Sequence, residues 1–379
     1  MAGIYIHVPF CKSRCIYCDF YSTTFPPTWH KRYAEAVGRE LEMRLVSLGS
    51  SDIATLYLGG GTPSQLAPDA LMLLFRSIGQ HFTIPSTAEI TIEANPDDVT
   101  PEWIAFLKDT PVNRISMGVQ SLNDDILTAL HRRHTAGQAR RAIRLLQQAG
   151  YQNLSIDLIY GLPGQTLEQF ATDVREVLSW HIPHLSGYAL QFEPGTMLFA
   201  QREKGTVQEA DEELSLACYE KLIDLTAAAG MEHYEISNFA CAGHRSRHNS
   251  AYWTGEPYMG LGPGAHSYDG KNTRSYNCED LQSYLQAICQ GKSVSTTEQL
   301  STADRYNERV MLRLRTSEGL SLPELEHDFG VSLRRYCETM ATPHLQQGRL
   351  QKKADETLCL TRRGLFVSDA IISDMMTVS

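Results

Sequence analysis

The sequence lacks long hydrophobic runs, an N-terminal export signal and an excess of positive charge. No stretch approaches the roughly eighteen apolar residues of a membrane-spanning helix, so we expect a protein that is not an integral membrane protein. A strand-like run opens at residue 4 without a basic segment, apolar segment or cleavage site before it, which argues against secretion and favours a cytoplasmic location. The formal net charge of −10 opposes nucleic-acid binding, because phosphate groups attract positive surfaces.

Paired cysteine motifs are also scarce. The six cysteines after the N-terminal segment are scattered, and no second closely spaced pair appears among them. This weakens a zinc knuckle, which needs two such pairs, and the absence of an export signal weakens structural disulfides further. With 379 residues, of which 42% are hydrophobic and 21% charged, the chain fits a soluble globular protein of about two or three domains.

Three cysteines near the N-terminus are the most informative feature of the chain. Cys11, Cys15 and Cys18 follow the apolar run 3–8 at intervals of four and three residues, so their thiols can converge on one face of an iron–sulfur cubane. A [4Fe-4S] cubane bound by three thiolates keeps one iron open to a small ligand, and the amino and carboxylate groups of S-adenosylmethionine are the obvious candidate. This spacing resembles the signature of the radical SAM superfamily.

From residue 3 to about 190, short β-branched runs alternate with amphipathic helical patterns. The runs predict six strands, at 3–8, 53–58, 88–93, 113–119, 153–159 and 185–190. Helical periodicity predicts helices between them, at 30–48, 66–78, 136–149 and 167–179. Because this alternation requires crossover connections, it predicts an α/β fold with a parallel sheet, arranged as a partial (β/α)6 TIM-like barrel.

A polar residue or a turn motif follows each predicted strand. The active sites of parallel barrels lie at the C-terminal ends of the strands, so we expect these six strand ends to form one site. In chain order they are the cysteine loop, Gly59-Gly60-Gly61-Thr62-Pro63, Glu93, Gln120, Asp157, and Gln191 with Glu193.

The individual strand-end residues leave alternatives open. Three consecutive glycines let a ligand approach the backbone, but they also suit a tight turn. Glu93 and Asp157 lie in apolar runs, where they either contact a ligand or pair with Arg114 or Arg132 inside the barrel. Two such carboxylates at strand ends favour ligand contact. Arg132 suits a bidentate pair with a ligand carboxylate, or it is an ordinary surface arginine.

Residues 231–278 are rich in histidine, tyrosine, asparagine and glycine. Within them, His248, Tyr252 and Trp253 fall within six residues, so one imidazole and two flat rings can meet a metal and a planar macrocycle. The alternative is a histidine-capped turn packed on the barrel, and the residues alone favour that alternative. The preceding pattern, at 197–230, predicts a packing helix.

The chain after about residue 300 predicts a separate small domain. Helical patterns at 302–315, 322–329 and 332–346 precede a predicted hairpin at 349–360, an order typical of winged-helix folds. Residues 301–379 contain 11 basic and 11 acidic residues, so a phosphate-binding surface is not evident and we interpret this region as a protein-contact or lid domain. The predicted domains are a barrel at 1–230, an extension at 231–300 and a winged-helix-like domain at 301–379.

Five motifs together resemble radical SAM proteins related to oxygen-independent coproporphyrinogen III oxidase. They are Tyr5–Cys11, Gly59–Pro63, Ile92–Pro96, Ser116–Ser121 and Asp157–Pro163. The resemblance implies that a [4Fe-4S] cluster is held by Cys11, Cys15 and Cys18. It also implies a set of contacts to S-adenosylmethionine, from Tyr5, Gly60, Gly61, Thr62, Glu93, Gln120, Arg132 and Asp157.

Three features separate the two branches of this family, the oxidase and the HemW heme chaperones. The oxidase motif has a fourth cysteine where this chain has Phe20, and the oxidase carries a long arm before its first strand, which we do not expect here. The segment 248–253, His-Asn-Ser-Ala-Tyr-Trp, resembles the HNxxYW motif through which the chaperones bind heme. The resemblance therefore implies that His248 is an axial ligand of the heme iron and that Tyr252 and Trp253 pack on the porphyrin.

The resemblance also implies a role in heme transfer. The expected partners are heme and a heme-acceptor protein, with a membrane-associated respiratory protein as one candidate, and the chain is expected to be a monomer or a dimer. The reduced cluster can pass an electron to bound S-adenosylmethionine, and the resemblance favours a gating role over radical turnover, so we expect no classical enzyme activity. The alternative is the oxidase, which decarboxylates two propionates of coproporphyrinogen III.

Overall fold

Six parallel strands in chain order form the centre of the protein. A computed structural model describes residues 2–45 and 52–377. Each of the six strands pairs in parallel with the next, which confirms the predicted α/β fold, and each lies within about two residues of its predicted range. The strands are β1 (Ala2–Val8), β2 (Ile53–Gly60), β3 (Glu89–Ala94), β4 (Arg114–Gln120), β5 (Leu154–Tyr160) and β6 (His184–Ala189).

Helices connect these strands and bury their apolar sides against the sheet. Thr135 and Thr166 begin two of the helices with a capping box, in which each threonine and a glutamine three residues later satisfy free backbone groups of the first turn. The helix predicted at 30–48 is observed to Arg44, and residues 46–48 lie outside the described residues. The helices are α1 (His30–Arg44), α2 (Pro68–His81), α3 (Pro101–Leu107), α4 (Asp124–Ala129), α5 (Ala136–Gln148) and α6 (Leu167–Ser179).

Residues 197–299 extend the sheet at both of its edges. The helical pattern at 197–230 forms two helices, because the chain turns at Gly205, where φ is 69°. One added strand pairs antiparallel with β6 and another pairs parallel with β1, so twelve strands of the described residues form one sheet. The elements are α7 (Met197–Glu203), α8 (Glu212–Ala228), β7 (Glu232–Glu235), β8 (Asn238–Ala240), α9 (Arg247–Thr254), β9 (Tyr258–Leu261), β10 (His266–Tyr268), β11 (Thr273–Asn277), α10 (Leu281–Cys289) and β12 (Ser295–Gln299).

The C-terminal residues have a hydrophobic core of their own, centred on Tyr306, Val310, Leu325 and Ile371. A short strand joins the predicted hairpin, so the sheet has three strands in the order β13-β15-β14. Within the described residues, no helix has both the length and the apolar composition that crossing a membrane requires. The elements are α11 (Thr302–Leu314), β13 (Leu320–Ser321), α12 (Leu322–Phe329), α13 (Val331–Gln346), β14 (Leu350–Lys352), β15 (Thr357–Leu360), α14 (Arg362–Leu365) and α15 (Ser368–Met375).

A buried carboxylate joins α1 to the added strands. Glu40 is 1% exposed and accepts hydrogen bonds from Gly262 N at 2.9 Å, Asn277 Nδ2 at 2.8 Å and Tyr284 Oη at 2.7 Å. Arg44 Nη1 also donates to Glu40, at 2.7 Å. Segments that are distant in the sequence therefore depend on one charged group, because its loss leaves several donors buried and unpaired.

Replacing Glu40 with alanine is expected to lower the free energy of unfolding by about 3–5 kcal/mol, the cost of breaking a buried charged pair. The control is Glu35→Ala at an exposed position of the same helix, which should change the free energy of unfolding by less than about 0.5 kcal/mol. Urea unfolding followed by circular dichroism measures both variants. Equal unfolding midpoints would contradict this role of Glu40.

Candidate functional site

The C-terminal ends of the six parallel strands surround a cavity of about 420 Å³, here named the strand-end cavity. Gln191 and Glu193, which follow β6, contribute to its wall. Ten of the residues singled out in the sequence also line it: Cys11, Cys15, Cys18, Gly60, Gly61, Thr62, Glu93, Gln120, Arg132 and Asp157. The cysteine loop and the ends of the strands therefore meet at one place, as expected for a parallel barrel.

The cysteine loop is fastened to side chains from other strand ends. Cys11 Sγ lies 3.3 Å from Thr62 Oγ1, and Arg132 Nη1 lies 3.3 Å from Cys15 Sγ. Burial raises the pKa of the Cys11 thiol and raises the pKa of Cys18 to about 11. These two thiols are therefore protonated at neutral pH, and a metal that binds them must displace their protons.

The glycines after β2 hold their turn close to β1. Gly61 N donates to Val8 O at 2.8 Å. Gly60 has a φ of 104°, and a Cβ atom at this position would lie 2.6 Å from the ring of His7. Glycine is therefore required at position 60, because a side chain there would collide with the ring of His7 and would strain the backbone. Because both glycines also line the strand-end cavity, the tight turn and the accessible backbone occur together.

Two half-buried carboxylates line the strand-end cavity, and neither has an arginine partner among the described residues. Glu93 accepts hydrogen bonds from Tyr57 Oη at 2.8 Å and from Gly60 N at 3.1 Å, and burial raises the pKa of Glu93 to about 7. Asp157 lies 3.4 Å from Ser116 Oγ, and burial raises its pKa as well. Neither carboxylate forms an ion pair with any described residue, so the internal salt bridges considered above are not observed.

Arg132 and Gln120 are fixed by the backbone around them. Arg132 Nη2 donates to Gly118 O at 2.6 Å and to Asn95 Oδ1 at 2.8 Å, while its buried Nε has no hydrogen-bond partner among the described residues. Gln120 has a φ of 67°, at a shift in the register between β4 and β5. A non-glycine residue in this region costs about 1 kcal/mol or more, and such strain is concentrated at functional sites.

A second cavity, of about 590 Å³, adjoins the first and is named the aromatic cavity. Its walls come from the cysteine loop, from α9 with β9–β11, and from α11. Tyr252 and Trp253 line it, as does Tyr5, which the structure places here and not in the strand-end cavity. Asp19 and Phe20 line both cavities, and Phe20 is 62% exposed.

His248 lies behind the wall of the aromatic cavity and is only 2% exposed. Its Nδ1 lies 2.8 Å from Thr55 Oγ1 and its Nε2 lies 2.9 Å from Tyr252 Oη. The ring stacks on Tyr57 with 5.1 Å between ring centres. Burial lowers the pKa of His248 to about 3, so the ring is neutral. In this conformation both ring nitrogens have partners, so the ring is packed against the barrel as the alternative reading expected, but it lies on helix α9 and not in a turn.

The sequence did not identify the remaining walls of the aromatic cavity. His266 lies in the glycine-rich run that begins at Gly260, and a histidine after such a run was the available signal. Arg305 and Phe329 come from the C-terminal residues and also line the cavity. Nothing in the sequence marked these two residues as part of a site, because they lie on ordinary amphipathic helices and reach the cavity only through tertiary packing.

Comparison with known proteins matches residues 5–177 to the Radical SAM superfamily and residues 300–367 to the HemN C-terminal domain. Heme chaperone HemW of Bacillus subtilis is 33% identical over 98% of this chain and 98% of its own length. Heme chaperone HemW of Escherichia coli is 32% identical over 93% of this chain and 92% of its own length.

A solved structure of coproporphyrinogen III oxidase (HemN) from Escherichia coli has a TM-score of 0.85 at 22% identity and covers 99% of this chain and 90% of that one. This likeness shows the fold, a partial radical SAM barrel with a C-terminal domain. The sequence similarity to the chaperones spans the cysteine loop, the strand ends and the C-terminal helices. The chain therefore belongs to the heme chaperone HemW family of the radical SAM superfamily.

Proposed function

We propose that this protein binds heme in the aromatic cavity and passes it to an acceptor protein, and that the strand-end cavity holds a [4Fe-4S] cluster and S-adenosylmethionine. The observation that carries the proposal is the position of Tyr252 and Trp253, which face a cavity bounded on another side by the cysteine loop. The relatives named heme chaperones, which match over nearly their whole length, support the heme part.

In this proposal Cys11, Cys15 and Cys18 each bind a different iron. Among the described residues, no three histidine, cysteine or carboxylate side chains lie close enough together to hold a single metal ion. Thiols spaced in this way suit a cubane, in which every thiolate has its own iron, better than a tetrahedral zinc site. A bound cluster supplies one-electron redox chemistry and one open iron position.

The polar strand ends suit the charged and polar groups of S-adenosylmethionine. Glu93 and Asp157 form no ion pair with a described residue, so they fit an ammonium group or ribose hydroxyls. The unpartnered Nε of Arg132 fits a carboxylate. Gly60 and Gly61 bring accessible backbone to the same wall.

Three further predicted contacts act around these groups. Thr62 and Gln120 line the strand-end cavity and supply a hydroxyl and an amide to it. Tyr5 acts from behind the wall, because its ring stacks on Tyr57 at 6.1 Å and Tyr57 donates a hydrogen bond to Glu93. In this proposal Tyr5 therefore positions Glu93.

The HNxxYW segment places two aromatic rings against heme. Trp253 lies under the guanidinium of Arg315, 5.0 Å from the ring centre, which fixes one face of its indole. Tyr252 is held by its hydrogen bond to His248 Nε2. For His248 to ligate the heme iron, that bond must open, so we propose that ligation by His248 accompanies a change of conformation.

The aromatic cavity also suits the propionates of heme. Arg274 pairs with Glu308 at 2.7 Å and Arg309 pairs with Asp328 at 2.9 Å. Arg305 lines the same cavity, and no carboxylate of the described residues lies within ion-pair distance of it. A guanidinium without a carboxylate partner fits a propionate, so we propose that Arg305 binds one.

The alternative function is that of the decarboxylating oxidase. Phe20 argues against it, because phenylalanine cannot replace the fourth cysteine of the oxidase motif. We further propose that the transfer of heme takes place in the cytoplasm, with the acceptor protein contacting the C-terminal residues. Arg305 and Phe329 carry this proposal, because heme in the aromatic cavity would touch the C-terminal helices directly.

Replacing Cys15 with alanine is expected to abolish the cluster, because the loop offers three thiols and the cluster needs all three. Iron and sulfide analysis and visible absorption after anaerobic reconstitution measure the effect. The exposed Cys289→Ala is the control and should retain iron and sulfide in near-equal amounts. Full iron and sulfide content in the Cys15 variant would refute the assignment.

Binding of S-adenosylmethionine is expected to strengthen about tenfold from pH 6 to pH 8. Glu93, with its pKa raised to about 7, is mainly protonated at pH 6, and only the ionised form attracts an ammonium group. Burial is the main cause of this raised pKa, and the charge of Asp157 raises it further, whereas the hydrogen bonds from Tyr57 and Gly60 and the charge of Arg114 lower it.

Calorimetric titration of cluster-loaded protein at several pH values measures this dependence. Glu93→Gln should bind more weakly and lose the dependence, whereas the exposed Glu102→Gln should retain it. The same pH dependence in wild type and Glu93→Gln would contradict the assignment.

Replacing Arg305 with glutamine is expected to weaken heme binding by about 1.5 kcal/mol, which is roughly a tenfold rise in Kd. The exposed Arg335→Gln is the matched control. Anaerobic titration followed by absorbance measures Kd with heme and with heme dimethyl ester, whose propionates carry no charge. If the Arg305 variant binds both probes as the wild type does, the propionate contact is wrong, and if the wild type binds no heme, the proposed function is wrong.

A further inference from the structure

The structure raises the question of which imidazole meets the heme iron in the aromatic cavity, a question that rests on the proposed function. Three histidines lie in or next to this cavity: His7, His248 and His266. An axial ligand needs a ring nitrogen with a free lone pair that faces the ligand. The surroundings of the three rings can therefore be compared directly.

Two of the three histidines have no ring nitrogen to offer. His248 is 2% exposed, with its nitrogens bound to Thr55 and Tyr252. His7 lines the cavity but is only 5% exposed, and its Nε2 lies 2.8 Å from the carbonyl oxygen of Tyr21, while its Nδ1 lies 3.1 Å from Tyr5 Oη. Ligation by either ring would first require the loss of a hydrogen bond that is at least partly buried, which carries a free-energy cost.

His266 differs from both. It lies on β10, is exposed and lines the aromatic cavity. Among the described residues, neither of its ring nitrogens has a hydrogen-bond partner. Tyr268, two residues further on the same strand, also lines the cavity, as expected for side chains on one face of a strand. The free imidazole is therefore on the ligand side of the sheet.

The position of His266 is fixed by its neighbours. β10 pairs antiparallel with β11, which places His266 opposite Tyr276, and the two rings stack with 5.7 Å between their centres. On the other side, a Cβ atom on Gly260 would lie 2.0 Å from His266 O, so the backbone of β10 passes directly against a glycine. Backbone and ring are both restrained, as a preorganised metal ligand requires.

We propose that His266 is the residue that ligates the heme iron when heme enters the aromatic cavity in the conformation described here. Its imidazole nitrogen donates a lone pair to the iron, and no other bond changes. His248 then supports the wall through Tyr252 and becomes available only if the Nε2–Oη bond between them opens.

The test is a titration of the full-length protein with ferric heme, read by absorbance and electron paramagnetic resonance. His266→Ala is expected to lose the signature of imidazole ligation and to bind heme roughly tenfold or more weakly, since even partners of metal ligands contribute tenfold or more. Added free imidazole should restore the signature. His327→Ala, which replaces an exposed histidine outside the cavity wall, should keep the wild-type signature.

Iron-free protoporphyrin IX separates ligation from folding and packing. His266→Ala and wild type should bind this probe equally, because it has no iron to ligate. The inference would be overturned if His266→Ala bound heme with wild-type affinity and kept the signature of imidazole ligation. If His248→Ala then lost the heme affinity and that signature, the proposed function would still stand. If the wild-type protein bound neither porphyrin, the proposed function and this inference would fail together.

Discussion

The loss of water around ionisable groups at the ends of the parallel strands is the constraint on which this site depends. Burial raises the pKa values of Cys11, Cys18, Glu93 and Asp157, so the protein without ligands holds protons or unpaired charge there. Iron can displace the protons of the thiols, and the positive charge of an ammonium group can take the place of the protons on the carboxylates. The barrel therefore provides groups whose electrostatic cost decreases when cationic ligands bind.

The fold was readable from the sequence where burial is uniform. The strands of a parallel sheet are covered on both faces, so β1 to β6 appear as apolar runs, and the polar residue after each run marks its end. The strands added by residues 232–299 were not predicted, because they are short and their pairing with β1 and β6 depends on tertiary contacts. The helix pattern at 197–230 concealed a break at Gly205, since one glycine is compatible with a continuous amphipathic pattern.

The candidate site was predictable to the extent that barrel geometry determines it. Strand ends must meet, so Glu93, Gln120 and Asp157 could be placed together from their positions alone. The positions of Tyr5 and His248 could not be predicted in this way, because the direction of each side chain depends on partners from elsewhere in the chain. Thr55 and Tyr252 hold His248 inside the wall, and a motif read along the sequence does not show this contact.

Phe20 connects the two cavities. Its exposed ring lines both the strand-end cavity and the aromatic cavity. A cysteine at this position would face both cavities as a thiol. Phenylalanine offers no metal ligand to the first cavity and a flat apolar surface to the second, where Tyr252 and Trp253 also lie. A single side chain thus removes a reactive group beside the proposed cluster and adds an aromatic surface beside the proposed heme.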